Sequence, residues 1–294
     1  MKKLTVFTPT YNRAYLLPQL YKSLCDQSSA DFLWLVVDDG SSDNTKELVE
    51  RWQRENKIQI TYVFQDNQGM HGAHNTAYEN CKTSWNVCID SDDYMPKNAV
   101  ELILKNIEEL KDSSFAGLVG LDADKATGKI IGTEIPAHLK RVKLNELYTV
   151  HNVKGDKKLV LNTAVVKQFP KYPLFKNERF VPLDYLYLLI DQEYDLKPVN
   201  EIFCIVEYQT DGSTKNIIKQ YRRNPNGFAF SRVSRINYGK TFKERFKNAV
   251  HLVSSIIFSK KINWLLKTKR PLLVFSAIPF GIILNLYIRF KYIN

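Results

Sequence analysis

The first hundred residues alternate between short apolar runs and amphipathic stretches, each closed by a polar turn. Residues 4–8 (LTVFT) form a β-branched apolar run halted by Pro9, which predicts a buried strand. Leu16, Leu17, Leu20, Tyr21 and Leu24 then recur at helical spacing. Residues 32–37 (FLWLVV) predict a second strand, and residues 44–55 a helix carrying Leu48, Val49 and Trp52. Ile58, Ile60, Tyr62 and Phe64 alternate as a third strand; residues 72–80 read as a short helix and 85–89 as a fourth strand. Residues 98–110 predict another helix and 115–121 another apolar strand. Apolar strands without strict alternation, separated by helices, predict an α/β fold whose mostly parallel sheet is covered on both faces. The pattern then loosens. Residues 128–131, 159–161 and 202–206 are expected to add further, antiparallel strands.

The end of the chain has a different character. Residues 238–270 interleave Lys and Arg with Phe242, Phe246, Val250, Leu252, Ile256 and Trp264, which predicts one or two amphipathic basic helices. Residues 272–288 are mostly apolar but are interrupted by Pro279, Gly281 and Asn285, and they fall short of the about 20 residues a membrane span needs. The expected division is an α/β domain over 1–220 and a basic, apolar helical tail over 221–294.

Charge sharpens that division. The net charge is +11, yet residues 213–294 hold 17 Lys or Arg against one acid, Glu244, so they carry +16 and the rest of the chain −5. Such asymmetry points to an anionic surface as partner. Because the basic residues alternate with large aliphatics and no nucleic-acid-binding motif is present, a membrane surface is favoured over nucleic acid. The tail is expected to lie in the interface with Trp264 near the headgroups; a helical subdomain packed on the α/β core is the alternative. Cys25, Cys81, Cys88 and Cys204 form no CxxC pair and read as buried thiols in a reducing compartment. The apolar run behind Lys2 and Lys3 is too short for a signal peptide, so a cytoplasmic protein, peripheral on the inner face of the cell membrane, is expected.

Two predicted strands end in acid. The second is followed by Asp38-Asp39-Gly40-Ser41-Ser42-Asp43, the fourth by Asp90-Ser91-Asp92-Asp93. Carboxylates this close raise one another's pKa unless a cation neutralises them, and hard oxygen ligands suit Mg²⁺ or Mn²⁺. An Asp-rich turn capping the next helix is the plainer reading of either cluster alone. Two such turns in one parallel sheet favour a site, because ligands of these sheets lie beyond the carboxyl ends of the strands.

Four segments together carry a resemblance. Thr8-Pro9-Thr10-Tyr11-Asn12-Arg13, Val37-Asp38-Asp39-Gly40-Ser41-Ser42-Asp43, Asn67-Gln68-Gly69 with Ala73-His74-Asn75, and Asp90-Ser91-Asp92-Asp93 resemble, in order and spacing, the family 2 glycosyltransferases of the GT-A fold, especially bacterial enzymes of capsule and surface polysaccharide. The resemblance implies a GT-A-type sheet flanked by helices, a nucleoside diphosphate sugar (a UDP-sugar first) as donor, and Mn²⁺ or Mg²⁺ as cofactor. Pro9, Tyr11, Asn12, Arg13, Asp38, Asp39, Gly69, His74, Asp90 and Ser91 are implied in nucleotide binding, with His71 as an alternative to His74. Asp90, Asp92 and Asp93 are implied at the metal. The arginine usual before Asn75 is His74 here.

Glycosyl transfer also requires a group that removes a proton from the attacking hydroxyl. The resemblance implies an acceptor-side carboxylate and single displacement with inversion, on a saccharide or lipid-linked acceptor. Relatives commonly place an acid directly after Pro182, where Leu183 stands; Asp184 is therefore the expected base, with Glu178 and Asp191 behind it. Asp211, in a segment resembling a family loop near the diphosphate, is a weaker candidate. Two other readings stay open: a catalytically silent nucleotide-sugar-binding or scaffold protein, and a nucleotidyltransferase, which should show a Gly- and Lys/Arg-rich phosphate loop after its first strand.

Overall fold

A computed structural model of the chain describes residues 2–209 and 217–291. Asp211 lies outside the described residues. The chain divides into two compact units, Met1–Pro170 with Glu193–Gln209, and Lys171–Gln192 with Thr210–Asn294. The expected boundary near residue 220 is thus replaced by an exchange of segments, in which an earlier stretch, 171–192, joins the helices of the tail.

In chain order, the first unit contains β1 (Leu4–Thr10), α1 (Leu17–Cys25), β2 (Phe32–Asp38), α2 (Thr45–Glu55), β3 (Ile60–Phe64), α3 (Met70–Asn80) and β4 (Trp85–Cys88). It continues with α4 (Ala99–Glu108), β5 (Phe115–Asp124), α5 (Leu144–Thr149), β6 (Lys157–Asn162) and α6 (Thr163–Val166). After α7 (Asp184–Glu193), β7 (Asp195–Val206) completes the sheet. The seven strands lie in the order β3-β2-β1-β4-β6-β5-β7. β1, β2, β3 and β4 pair in parallel, β6 runs antiparallel to both neighbours, and β7 is parallel to β5.

β1 occupies the interior of this sheet, and all seven of its residues are buried, which is why its sequence reads as an unbroken apolar run. Leu4 and Val6 join Leu17, Leu20 and Leu24 of α1, Trp52 of α2 and Ile103 of α4 in one core. Phe7 points to the other face, edge-on to His74 and Tyr78 of α3. Each fully buried aliphatic or aromatic side chain of these layers contributes roughly 1.5–3 kcal/mol. Trp34 is fully buried without leaving its indole N–H unpaired, since Nε1 donates to Thr8 Oγ1 at 3.0 Å.

The later strands correct the sequence reading in two places. Residues 159–161 fall in β6 and are antiparallel as expected, but residues 202–206 belong to β7, which is parallel to β5. Residues 128–131 make no strand and only one bridge, Ala123 to Ile130. The cause is local: Asp124 Oδ1 accepts from Thr127 N and Oγ1, and Gly128 adopts φ +67°, so the chain turns sharply where a strand would need extended backbone.

The second unit contains α8 (Ile217–Arg223), α9 (Pro225–Tyr238), α10 (Phe242–Ser259), a 3₁₀ turn (Ile262–Lys267), α11 (Pro271–Ser276) and α12 (Ile278–Phe290). Its core gathers Val233 and Ile236 of α9, Leu252 and Val253 of α10, Trp264 and Val274. α12 approaches α10 closely at Gly281, where a Cβ would stand 2.4 Å from Val253 Cβ. Asn285 Nδ2 of α12 donates to Ser254 O at 3.2 Å. Trp264, expected at lipid headgroups, is instead 3% exposed, with Nε1 donating to Asn226 Oδ1 at 3.3 Å.

His251 of α10 stands edge-on to Tyr221, and burial, together with Arg232 and Lys247, lowers its pKa to about 4. Its folded value lies below the unfolded value of about 6.5, so the neutral ring contributes stability that is intact above pH 6.5 and lost as pH falls through 4. The thermal midpoint is therefore expected to fall between pH 6.5 and 4, and His251→Gln is expected to flatten that decline. An unchanged slope in the variant, measured by circular dichroism melts, would assign the loss to other groups.

Candidate active site

The register of the sheet decides where the acidic turns go. β1 pairs β2 as far as Thr10 opposite Asp38, and pairs β4 as far as Phe7 opposite Cys88. Asp39 N then donates to Thr10 O at 2.8 Å, and Ile89 N to Phe7 O at 3.0 Å. Both turns therefore leave the same carboxyl edge of one sheet, on either side of β1. Thr10 Oγ1, at that edge, and Gln65 Oε1, just beyond β3, are buried and have no hydrogen-bond partner. Buried polar atoms without partners are uncommon, and their presence here fits a ligand that supplies them.

The turn after β2 is held by its own acids. Asp38 Oδ1 accepts from Ser41 N at 2.7 Å, and Oδ2 from the Tyr62 hydroxyl at 2.7 Å. Asp39 accepts from Gln65 Nε2 (2.6 Å), Gln68 N (2.8 Å) and Gly69 N (2.7 Å). It thereby satisfies backbone donors at the start of α3, which no intrahelical carbonyl can reach. Gly40 is required between them: its φ is +87°, and a Cβ would stand 2.9 Å from Asn67 N. The loop after β1 is tied to this turn through Asn12, whose N donates to Ser41 Oγ and whose Oδ1 accepts from Ser42 N, both at 2.8 Å. Pro9 is buried in β1, Tyr11 is half-exposed, and Arg13 reaches the Tyr15 hydroxyl at 3.4 Å.

The turn after β4 separates its acids. Asp90 and Asp92 are partly exposed, whereas Ser91 and Asp93 are buried. Asp93, expected at the metal, is turned inward: its Oδ1 accepts from Glu207 N at 3.2 Å, and its Oδ2 lies 3.7 Å from Cys204 Sγ. Burial pushes the Asp93 carboxyl up to about 7; Lys158 opposes this, and Asp90 and Asp92 add to it. His74 is 1% exposed, with Nδ1 2.9 Å from Met70 O. Burial lowers its pKa against the pull of Met70 O and Asp90, so the ring is neutral and offers no full charge to a phosphate.

Lys158 and Asp122 were missed by sequence reasoning. Because β6 runs against its neighbours, its first residues lie at the carboxyl edge of β4 and β5, and Lys158, opposite Gly120, enters the acid cluster. Burial works against its charge, but Asp122, Cys204, Asp93 and Asp90 outweigh that and hold it protonated, well above the ordinary lysine value. Its Nζ lies 3.9 Å from Asp122 Oδ1, which has no hydrogen-bond partner, and burial raises the Asp122 pKa. The available signal was the pair Lys157-Lys158 opening a strand whose centre is apolar, KKLVLN.

Among the described residues, no three or more His, Cys, Asp or Glu gather as a closed metal cage. Asp90 and Asp92 nevertheless fit Mg²⁺ or Mn²⁺, which are commonly held by one or two carboxylates and complete their shells with water and phosphate oxygens.

The expected bases all lie in the second unit. Asp184 opens α7, takes a hydrogen bond from Ser231 Oγ at 3.2 Å and pairs with the Arg235 guanidinium. Glu178 is committed elsewhere: Oε1 accepts from Asn226 N (3.0 Å) and Nδ2 (2.6 Å), and Oε2 from Gly227 N (2.8 Å), so it caps α9. Asp191 is 3% exposed within α7.

A mostly parallel sheet of this order, with one reversed strand and acidic turns at its carboxyl edge, is the GT-A architecture. The Glycosyl transferase family 2 model matches residues 5–158, just over half of the chain, and the chain belongs to that family. It is 33% identical over 115 residues to the glycosyltransferase GlyA of Streptococcus pneumoniae, a match covering 39% of this chain and 16% of that protein. It is 32% identical over 111 residues to the GalNAc(5)-diNAcBac-PP-undecaprenol beta-1,3-glucosyltransferase of Campylobacter jejuni, covering 37% of this chain and 36% of that one. The aligned stretch thus spans well under half of these relatives. Among solved structures, S. aureus TarS 1-349 in complex with UDP-GlcNAc superposes with a TM-score of 0.62 at 19% identity, over 94% of this chain and 79% of that one. The Pyrobaculum calidifontis mannosyltransferase PcManGT, in complex with GDP-Man and Mn²⁺, gives 0.57 at 17% identity, over 97% and 87%. At these identities the structural likeness concerns the fold.

Removing the buried cation should expose the cost of the acid cluster. Lys158→Met is expected to destabilise the protein by roughly 3–5 kcal/mol, the usual cost of stripping one partner from a buried pair. Adding Asp122→Asn should recover part of that loss in denaturant melts; strictly additive losses would mean that the two side chains are uncoupled.

Proposed function

We propose that this chain is an inverting, metal-dependent glycosyltransferase that moves a sugar from a UDP-sugar to a hydroxyl of a saccharide or lipid-linked acceptor in surface polysaccharide synthesis. The observation that carries this reading is the convergence of the Asp38-Asp39 turn and the Asp90-Ser91-Asp92 turn on one sheet edge, either side of β1. A nucleotide laid across that edge would place its base by Pro9, Tyr11 and Asp39 and its ribose and diphosphate by Asp90 and Asp92. The relatives point the same way, since TarS is seen with UDP-GlcNAc and PcManGT with GDP-Man and Mn²⁺.

Mn²⁺ or Mg²⁺ held by Asp92, with Asp90, supplies Lewis-acid stabilisation of the departing diphosphate. The remaining work falls to side chains. Asp38 and Asp39 hold the base-binding turn rigid, so that little ordering is left to be done on binding. His74, held by Met70 O and packed edge-on to Phe7 and Tyr78, would not compete for the cation. Asp184 is proposed as the base that takes the proton of the acceptor hydroxyl, its carboxylate oriented by Arg235 and Ser231. A base acting on the attacking hydroxyl in a single displacement inverts the anomeric centre. Glu178 is not retained as a second base, because its oxygens are spent on capping α9.

The basic tail supports peripheral attachment to the anionic inner face of the membrane, and among the described residues no helix is long and apolar enough to cross one. Such attachment would suit a lipid-linked acceptor.

UDP release measured across UDP-, GDP- and dTDP-sugars, with Mn²⁺ and with chelator, tests the reading. Release is expected with a UDP-sugar and metal and to disappear with chelator; binding without any release would favour a silent nucleotide-sugar-binding protein. Asp92→Ala should abolish metal-dependent turnover with the fold intact, and retained turnover would overturn the metal assignment. Asp184→Asn should slow turnover by about 10²–10⁴-fold; a near-normal rate would pass the role to another acid.

A further inference from the structure

The tail's sequence pattern assigns membrane contact to the basic helices between residues 238 and 270, but tertiary packing spends much of their apolar surface inside the second unit and leaves Phe242, Ile262 and Leu266 exposed. Leu252 and Val253 of α10 and Trp264 of the 3₁₀ turn are all buried in its core. The larger share of uncovered apolar surface lies on the elements that follow. On α12, Gly281, Asn285 and Ile288 face inward at helical spacing, while Phe280, Ile283, Tyr287 and Phe290, spaced three and four apart, are 54%, 64%, 53% and 68% exposed. Leu272 and Phe275 of α11 are 82% and 53% exposed.

Six large apolar side chains presented by consecutive helices exceed the scattered exposure normal for a protein surface. The surrounding charge identifies what covers them. Lys261, Lys269 and Arg270 are exposed just before α11, Arg289 and Lys291 close α12, and no Asp or Glu follows Glu244 anywhere in the chain. A protein partner with an ordinary mixed surface gives no reason for that one-sided charge; an anionic bilayer does. Among the described residues no helix is long and apolar enough to cross a membrane; the 13 residues of α12 cover about 20 Å, against about 30 Å of hydrocarbon.

We propose that the outward face of α11 and α12 is the membrane-inserting surface, lying flat in an anionic phospholipid interface with Phe280, Ile283, Tyr287 and Phe290 in the acyl boundary and Lys261, Lys269 and Arg270 against the headgroups. This deepens the peripheral attachment proposed above and is independent of the transferase reaction. α10 then acts as the backing on which the inserting helix is mounted, through the close approach at Gly281 and the Asn285 to Ser254 bond.

Co-sedimentation of the full chain with phosphatidylglycerol vesicles and with phosphatidylcholine vesicles, at low and high salt, tests it. Binding is expected to phosphatidylglycerol and to weaken with salt. A triple variant, Ile283→Ser, Tyr287→Ser and Phe290→Ser, whose side chains are all more than half exposed, should keep the wild-type melting profile and lose roughly a hundredfold in partitioning. A variant carrying Lys261→Gln, Lys269→Gln and Arg270→Gln should lose mainly the salt-sensitive part. Independently of variant folding, Ile283→Trp should show fluorescence quenched by brominated acyl chains. Vesicle binding that survives the triple variant, with the indole introduced by Ile283→Trp unquenched, would leave peripheral attachment standing and overturn this face. No binding to either vesicle would overturn both. A concentration-dependent dimer abolished by the triple variant, with no vesicle binding, would replace the lipid surface by a second copy of the chain.

Discussion

Crowded negative charge at the carboxyl edge of the sheet is the constraint on which the rest of the first unit depends. Asp90, Asp92, Asp93 and Asp122 gather where the surrounding strands are apolar and water is scarce, so their mutual repulsion is weakly screened. The fold answers in part: Lys158 enters from the reversed strand β6, and Asp93 takes Glu207 N and approaches Cys204. Asp90 and Asp92 are the two acids of the turn after β4 that remain partly exposed. A divalent cation would be held there by Asp90 and Asp92 and would supply charge stabilisation for a diphosphate, which ties the electrostatics of this edge to the chemistry proposed for the site.

The second acidic turn follows a different logic. Asp38 and Asp39 are almost wholly buried, but their oxygens accept from Ser41, Tyr62, Gln65, Gln68 and Gly69. Each carboxylate finds donors at its oxygens, so burial leaves neither side chain unsatisfied. The result is a rigid rim joining the ends of β2 and β3 to the start of α3, beside the loop that carries Tyr11 and Asn12. Acids of one residue type thus stand differently on the two sides of β1: Asp38 and Asp39 are buried and brace their turn, whereas Asp90 and Asp92 stay partly exposed.

In the second unit the governing choice is how apolar surface is shared among helices that are all rich in it. α10 is covered by α9 and α12, and Trp264 joins the same core. α12 turns a narrow stripe of Gly281, Asn285 and Ile288 inward: Gly281 permits close approach to α10 and Asn285 bonds to Ser254. Its bulky residues are thereby driven outward. The same geometry that closes the core creates the exposed face, and the absence of acid beyond Glu244 gives that face its electrostatic character.

The alternation of strands and helices in the first hundred residues was legible because it rests on local periodicity, and the acidic turns were legible because turn chemistry is carried by adjacent residues. The family resemblance rested on the same short segments. The partnership of Lys158 with Asp122, the turning of Asp93 to Glu207, the capping of α9 by Glu178 and the burial of Trp264 were not legible, since each joins residues between about 30 and 110 positions apart. Strand direction was decided at the same level: β6 and β7 look alike as apolar runs, and only their neighbours in the sheet make one antiparallel and the other parallel. Amphipathicity fixes that a helix has an apolar face, but which faces meet each other and which meet solvent depends on the fit of side chains across the whole unit. By itself the sequence therefore determined the elements, the charge asymmetry and the two acidic turns; the tertiary structure decided which acids are braced, which stay available and which helix is left uncovered, because those outcomes depend on distances that no local pattern contains.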